Sequence, residues 1–233
     1  MAETPQTLLE PLLPGRAGPA LIAHGAGNSP GLVDAGADSK ADFLEVDLWV
    51  HGDQLEARHE RAMYPLPLLF ERWYIRRAPR RPFGFAELVA ANAGRSGIFL
   101  DLKNGGERAA ALVRQSLEQA GHGLRVAASA QQWTILRALS RLCPRVQSFY
   151  SIDVASKLDL FLSISERDTH PAGVSCRHEL LSAPVVQRFH DRGLLVVAWT
   201  VDDVERACAL AEWGVDGITT HRVAELRQGL GLS

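Results

Sequence analysis

Eight short apolar runs, each separated from the next by a segment long enough for a helix, constrain this chain more than any other feature of its sequence. They are ALIAH (20–24), FLEVDLWV (43–50), GIFLDLK (97–103), RVAAS (125–129), RVQSFY (145–150), AGVSC (172–176), LLVVAWT (194–200) and GITT (217–220). Runs that are apolar on both faces belong to a parallel sheet covered by helices, because a solvent-facing sheet alternates polar and apolar residues. Helical spacing fills several of the intervals, as in PFGFAELVAANAG, ERAAALVRQSLEQAG, WTILRALSRLC, APVVQRFHDRG and DDVERACALAEWG, and several of these end at a glycine suited to a C-cap. Eight such units in 233 residues predict an α/β chain folded as a single (β/α)8 barrel. An open doubly wound sheet is the competitor, but the first strand-to-helix turn, HGAGNSPG, lacks the G-x-G-x-x-G pattern such a sheet would place there.

The rest of the composition narrows the setting. Hydrophobic residues make up 46% of the chain, enough for a large core, and 25 basic against 27 acidic residues produce no general attraction for nucleic acid. Cys143, Cys176 and Cys208 are odd in number and lack metal-ligand spacing, so they are expected to be reduced core thiols in a cytoplasmic protein. No apolar run approaches membrane-spanning length. Residues 1–17 read as a Pro-rich leader and 18–233 as the barrel, interrupted at about 60–82 by four prolines and six arginines. The expected partner is a small-molecule or lipid-derived substrate, and the oligomeric state stays open.

Chemistry in such a barrel gathers at the C-terminal ends of the strands. His24 ends the first run. Glu45 and Asp47 stand two apart on the second, and therefore on one face of a strand, with His59 shortly after them. Asp101 and Lys103 close the third run. Trp199 and Thr200 close the seventh, where an indole either packs the barrel mouth or faces substrate. Three converging carboxylates oppose one another's ionisation in a low-dielectric pocket, and a divalent cation resolves the conflict. Oxygen ligands favour Mg²⁺, Ca²⁺ or Mn²⁺ over zinc, which leaves the histidines free for proton transfer. Two histidines beside a metal-held anion suit phosphoryl transfer, one as base and the other as acid, with Lys103 offsetting charge on the phosphate.

The segments IAHG, LEVD, RHE, FLDLK, AWTVDD and GVDGITT, in this order from residue 20 to 224, resemble the glycerophosphodiester phosphodiesterase family within the phosphatidylinositol-phospholipase-C-like TIM barrels. The resemblance implies a divalent metal held by Glu45, Asp47 and Asp101, His24 and His59 as the acid/base pair, and Lys103 and Trp199 toward substrate. It implies attack on phosphorus by a neighbouring glycerol hydroxyl to give a cyclic phosphate, with direct attack by water as the alternative. The chain departs from the family pattern at Gly25, where an arginine is usual, in the missing P-E-N-T stretch, in Asp101 for the usual glutamate, and at His221, where an acid is expected. Asp101 before x-Lys, together with Asn28 soon after the first histidine, looks more like the sphingomyelinase D and phospholipase D branch, and Asn28 is accordingly expected to bind substrate. The expected activity is metal-dependent hydrolysis of a glycerophosphodiester or related small phosphodiester. A lysophospholipase D or sphingomyelinase D-like activity and a non-catalytic phosphodiester-binding barrel are the alternatives.

The interruption adds a clue to the substrate. LPLLFERWYIRRAPRR mixes apolar and aromatic residues with Arg72, Arg76, Arg77, Arg80 and Arg81, a composition suited to peripheral contact with a lipid tail and its phosphate.

Overall fold

The computed structural model of the chain describes residues 12, 18–63, 65–71, 73–121, 123–164 and 171–232. In chain order its strands are β1 (Ala20–Ala23), β2 (Phe43–His51), β3 (Gln54–Ala57), β4 (Arg61–Ala62), β5 (Leu68–Glu71), β6 (Tyr74–Arg77), β7 (Gly97–Leu102), β8 (Val126–Ala130), β9 (Gln147–Ile152), β10 (Gly173–Arg177), β11 (Leu195–Trp199) and β12 (Gly217–Thr220). The helices are α1 (Pro30–Asp38), α2 (Phe85–Asn92), α3 (Gly106–Ala120), α4 (Trp133–Leu142), α5 (Ala155–Ile164), α6 (Ala183–His190), α7 (Val204–Glu212) and α8 (Val223–Gly229).

All eight expected runs form strands, and they pair in parallel in the order β1-β2-β7-β8-β9-β10-β11-β12. β12 pairs back onto β1 and so closes a single (β/α)8 TIM barrel. Each strand turns alternate side chains inward and outward, which produces two cores. Leu12, Ile22, Phe43, Phe99, Phe149 and Val197 fill the barrel interior. A larger shell of aliphatic residues, including Leu44, Val46, Leu100 and Val196, packs the outer strand faces against the helices. Of the expected leader, only Leu12 is described, and it is buried in the interior core. The remaining leader residues lie outside the described residues.

Two features are not among the local patterns quoted from the sequence. The connection after β1 holds helix α1, although Gly31 and Gly36 depress its intrinsic propensity. Pro30 occupies its first turn, where the missing N–H costs nothing. A Cβ at Gly36 would come within 2.7 Å of Leu44 Cδ2 and 2.8 Å of Ala26 Cβ, so the glycine permits the helix to lie against β2. The second feature is the four additional strands between β2 and α2. β3 pairs antiparallel with β2 across a turn at Gly52, and β4, β5 and β6 form a separate antiparallel sheet within the interruption.

Cys143 and Cys176 are buried free thiols, whereas Cys208 is only partly covered, because it lies on the half-exposed side of α7. Among the described residues no helix is long and apolar enough to cross a membrane.

Candidate active site

The inward-facing positions of the barrel strands carry the site. Ile22, Phe43 and Phe99 plug the interior. Two residues further toward the C-terminal end, strand alternation brings His24, Glu45 and Asp101 to the same side, and Asp47 follows Glu45 by another two. Parallel register sets Asp47 directly beside Asp101. The strand period therefore places an apolar floor beneath a polar mouth.

Glu45, Asp47 and Asp101 each offer an oxygen within 4.8 Å of the others. Glu45 and Asp47 are almost wholly buried. Lys103 Nζ lies 2.5 Å from both Asp47 Oδ1 and Asp101 Oδ2. Burial opposes the charge on Lys103, but Asp101 and Asp47 outweigh it and hold its pKa above the usual lysine range. One ammonium does not balance three carboxylates. Burial, followed by the charges of Asp47 and Asp101, pushes the Glu45 carboxyl well above its ordinary value. Burial also raises Asp101, against the pull of Lys103.

Two observations test whether a divalent cation fits. Asp101 Oδ1 is buried and, among the described residues, meets no hydrogen-bond donor in good geometry. With all three acids ionised, the single positive charge of Lys103 leaves two negative charges, the complement of a divalent ion. An all-oxygen donor set of this kind suits Mg²⁺, Ca²⁺ or Mn²⁺.

The loop after β1 orients two of the acids. Gly25, at φ +65° in the left-handed region, donates its backbone N–H to Glu45 Oε2 at 2.5 Å. Asn28 engages Asp47 with both ends of its amide. Its Nδ2 donates to Asp47 Oδ2 at 2.7 Å, and its Oδ1 accepts from the Asp47 backbone N–H at 2.9 Å. Asn28 also lines the pocket, but these bonds tie it first to a carboxylate.

His24 and His59 line one pocket of about 720 Å³, within the range of small-molecule sites. His24 is half-buried, its Nδ1 lies 3.3 Å from the Thr200 hydroxyl, and burial together with His221 lowers its pKa to about 4. His59 is more exposed and places Nδ1 2.8 Å from Glu71 Oε1. Glu71 Oε2 accepts a 2.8 Å hydrogen bond from the Tyr74 hydroxyl, which is pushed up to about 12 by that bond. Trp199 is half-buried at the end of β11, next to Thr200.

Three residues near the histidines carried no assigned role in the sequence reading. Glu71 orients His59 from the β5 end of the small sheet, and no motif connects the two positions. His221 stands with its ring centroid 4.5 Å from that of His24. Asp202 holds His221 in turn, accepting from its backbone N–H at 2.8 Å and meeting Nδ1 at 2.8 Å. The departure at residue 221 therefore puts an imidazole beside the first histidine. AWTVDD contained Asp202, but nothing local showed that it meets a residue nineteen positions later.

Comparison with protein families matches residues 100–225, more than half of the chain, to the glycerophosphoryl diester phosphodiesterase family. The matched segment includes Asp101, Lys103 and Trp199, whereas His24, Asn28, Glu45, Asp47 and His59 precede it. Comparison with curated proteins finds no match. Among solved structures, a phosphodiesterase from Oleispira antarctica in complex with the product sn-glycerol-3-phosphate superposes with a TM-score of 0.74 at 15% identity, covering 91% of this chain and 97% of that one. A glycerophosphodiester phosphodiesterase from Parabacteroides distasonis gives 0.73 at 18% identity, covering 93% and 98%. The corresponding enzyme from Thermotoga maritima gives 0.70 at 17%, covering 90% and 97%. At these identities the structural likeness establishes the fold, and the sequence match establishes the family. The chain belongs to the glycerophosphoryl diester phosphodiesterase family of phosphoric diester hydrolases.

Proposed function

We propose that this protein hydrolyses a glycerophosphodiester with the help of a divalent cation held by Glu45, Asp47 and Asp101, using His24 and His59 for proton transfer. The observation that carries the reading is the three-carboxylate cluster, two of whose acids are held by Gly25 and Asn28, residues that line the same pocket as both histidines. A divalent cation bound there supplies Lewis-acid stabilisation of charge developing on the phosphoryl oxygens.

The side chains divide the remaining work. His24, neutral at pH 7, accepts the proton of the attacking hydroxyl, its Nδ1 oriented by Thr200. His59, fixed through Nδ1 by Glu71, presents Nε2 to protonate the departing alcohol oxygen. Lys103 contacts two carboxylates and has a third N–H for a phosphate oxygen. Trp199 and Asn28 border the substrate, Asn28 chiefly by holding Asp47 in place. The attacking hydroxyl is a neighbouring glycerol oxygen or water. The sn-glycerol-3-phosphate in the Oleispira antarctica structure supports a glycerophosphodiester as the substrate class.

The test is turnover by the purified protein on a panel of glycerophosphodiesters and lysophospholipids, with Mg²⁺, Ca²⁺, Mn²⁺ or EDTA. Metal-dependent turnover that falls about 10²- to 10⁴-fold in both His24→Ala and His59→Ala is the expected result. A folded wild-type protein that binds phosphodiesters without cleaving any of them would overturn the catalytic reading in favour of a binding barrel. Preference for lysophospholipids would move the substrate to the phospholipase D-like class.

A further inference from the structure

The small sheet β4–β6 has two chemically different faces, and the proposed chemistry uses only one. Directly paired residues of an antiparallel sheet share a face. Leu69 pairs with Arg76, Glu71 pairs with Tyr74, and all four line the pocket. The segment's two acids, Glu60 and Glu71, both line the pocket as well, with Arg76 Nε 2.5 Å from Glu60 Oε1.

The opposite face carries Arg61, Phe70 and Ile75 side by side, followed by Arg77. Phe70 is 39% exposed and Ile75 59%. Trp73, in the turn between β5 and β6, is 95% exposed, and Leu66 and Met63 are exposed nearby. This face contains no acid from the segment 60–82. Among the described residues, neither Arg77 nor Arg80 has an ion-pair partner, whereas Arg81 pairs with Glu87. Arg72 lies outside the described residues.

We propose that this outer face docks the protein on an anionic phospholipid bilayer, with Trp73, Phe70 and Ile75 entering the headgroup boundary and Arg61, Arg77 and Arg80 contacting lipid phosphates. Charge complementarity selects the partner. The chain as a whole carries a formal charge of −2, so no general attraction draws it to an anionic surface and a local basic face such as this one has to supply it. Tryptophan partitions to the membrane interface, and arginines near it are drawn by anionic headgroups. Because the other face of the same sheet lines the pocket, docking would hold the pocket close to the surface where phospholipid-derived diesters reside, with the sheet between them. The proposal stands independently of the metal and of the proton-transfer roles.

Cosedimentation of the full chain with phosphatidylcholine vesicles, with and without phosphatidylglycerol, tests it. Binding to the anionic vesicles that weakens with added salt is expected, and Trp73→Ala combined with Ile75→Ser should reduce it about tenfold. Arg77→Ser with Arg80→Ser should reduce it by about fivefold per arginine, on anionic vesicles only. Neither pair lines the pocket, so turnover of soluble glycerophosphocholine should be unchanged in both. Quenching of wild-type tryptophan emission by brominated lipid reads the same contact without any substitution. Wild-type sedimentation no greater than that of the Trp73/Ile75 variant, or the absence of quenching, would overturn the proposal. So would light scattering showing that this face closes a dimer which the variant dissociates.

Discussion

His59, proposed above for proton transfer, shows how strongly such a residue would depend on neighbours that its own sequence does not reveal. Glu71 reaches it from a strand twelve positions later and fixes Nδ1. Glu71→Gln should therefore lower kcat by about tenfold while leaving KM nearly unchanged, a smaller loss than His59→Ala. An effect confined to KM would show that Glu71 contacts substrate instead. Asn28 has the same relation to Asp47. Asn28→Ala removes both amide contacts, and calorimetric titration should show divalent-cation affinity reduced about 10- to 100-fold. Unchanged affinity would remove Asn28 from the support of the carboxylate cluster. Gly25 supports Glu45 through its backbone N–H, at a left-handed φ that glycine adopts without strain.

Among the elements, α1 and the β4–β6 sheet both contribute residues to the pocket wall. α1 lies against the barrel because Gly36 has no Cβ to meet Leu44 and Ala26. Gly36→Val should destabilise the protein by about 1–3 kcal/mol through overpacking. For a chain of this size that is a fall of about 2–4 °C in Tm per kcal/mol. An unchanged Tm would mean that the helix shifts without cost. The expected strands matched closely because buried parallel strands are continuous apolar runs, a local signal. α1 was hidden by its glycines, and β4–β6 by four prolines that read as loop. In both cases tertiary packing outweighs local propensity.

At the scale of the whole molecule, cation binding at the proposed cluster would be coupled to folding, because only the closed barrel brings the three acids together. The pKa values of Glu45 and Asp101 are raised in the native state, so the folded protein retains protons that the unfolded chain releases above pH 4.5 and 3.8, respectively. Without a divalent ion, their contribution to stability is therefore lost as pH rises through this window. A cation that takes the ionised acids reverses the loss. His24, with its pKa lowered to about 4, does not add a competing positive charge above that value. Calorimetric scans with Ca²⁺ at about 100 times its Kd should show stabilisation near 2.7 kcal/mol, roughly 5–10 °C in Tm. The increment should be small near pH 4.5 and grow toward neutrality. The same increment in Asp47→Asn would exclude this cluster as the binding site.

The sequence by itself determined the barrel, because eight buried-type apolar runs joined by helix-length segments favour it over an open sheet, and it determined which residue types end the strands. The motifs around His24, Glu45, Asp47, Asp101 and Lys103 were legible for the same reason, since strand period and strand end are local properties. Only the tertiary structure decided which groups meet across the mouth: Asn28 with Asp47, Glu71 with His59, His221 with His24, and Asp202 with His221. It also decided that one face of the small sheet lines the pocket while the other meets solvent. The physical reason is that these contacts join residues from different elements. Their distances are set by barrel closure and antiparallel register, which no single stretch of chain encodes.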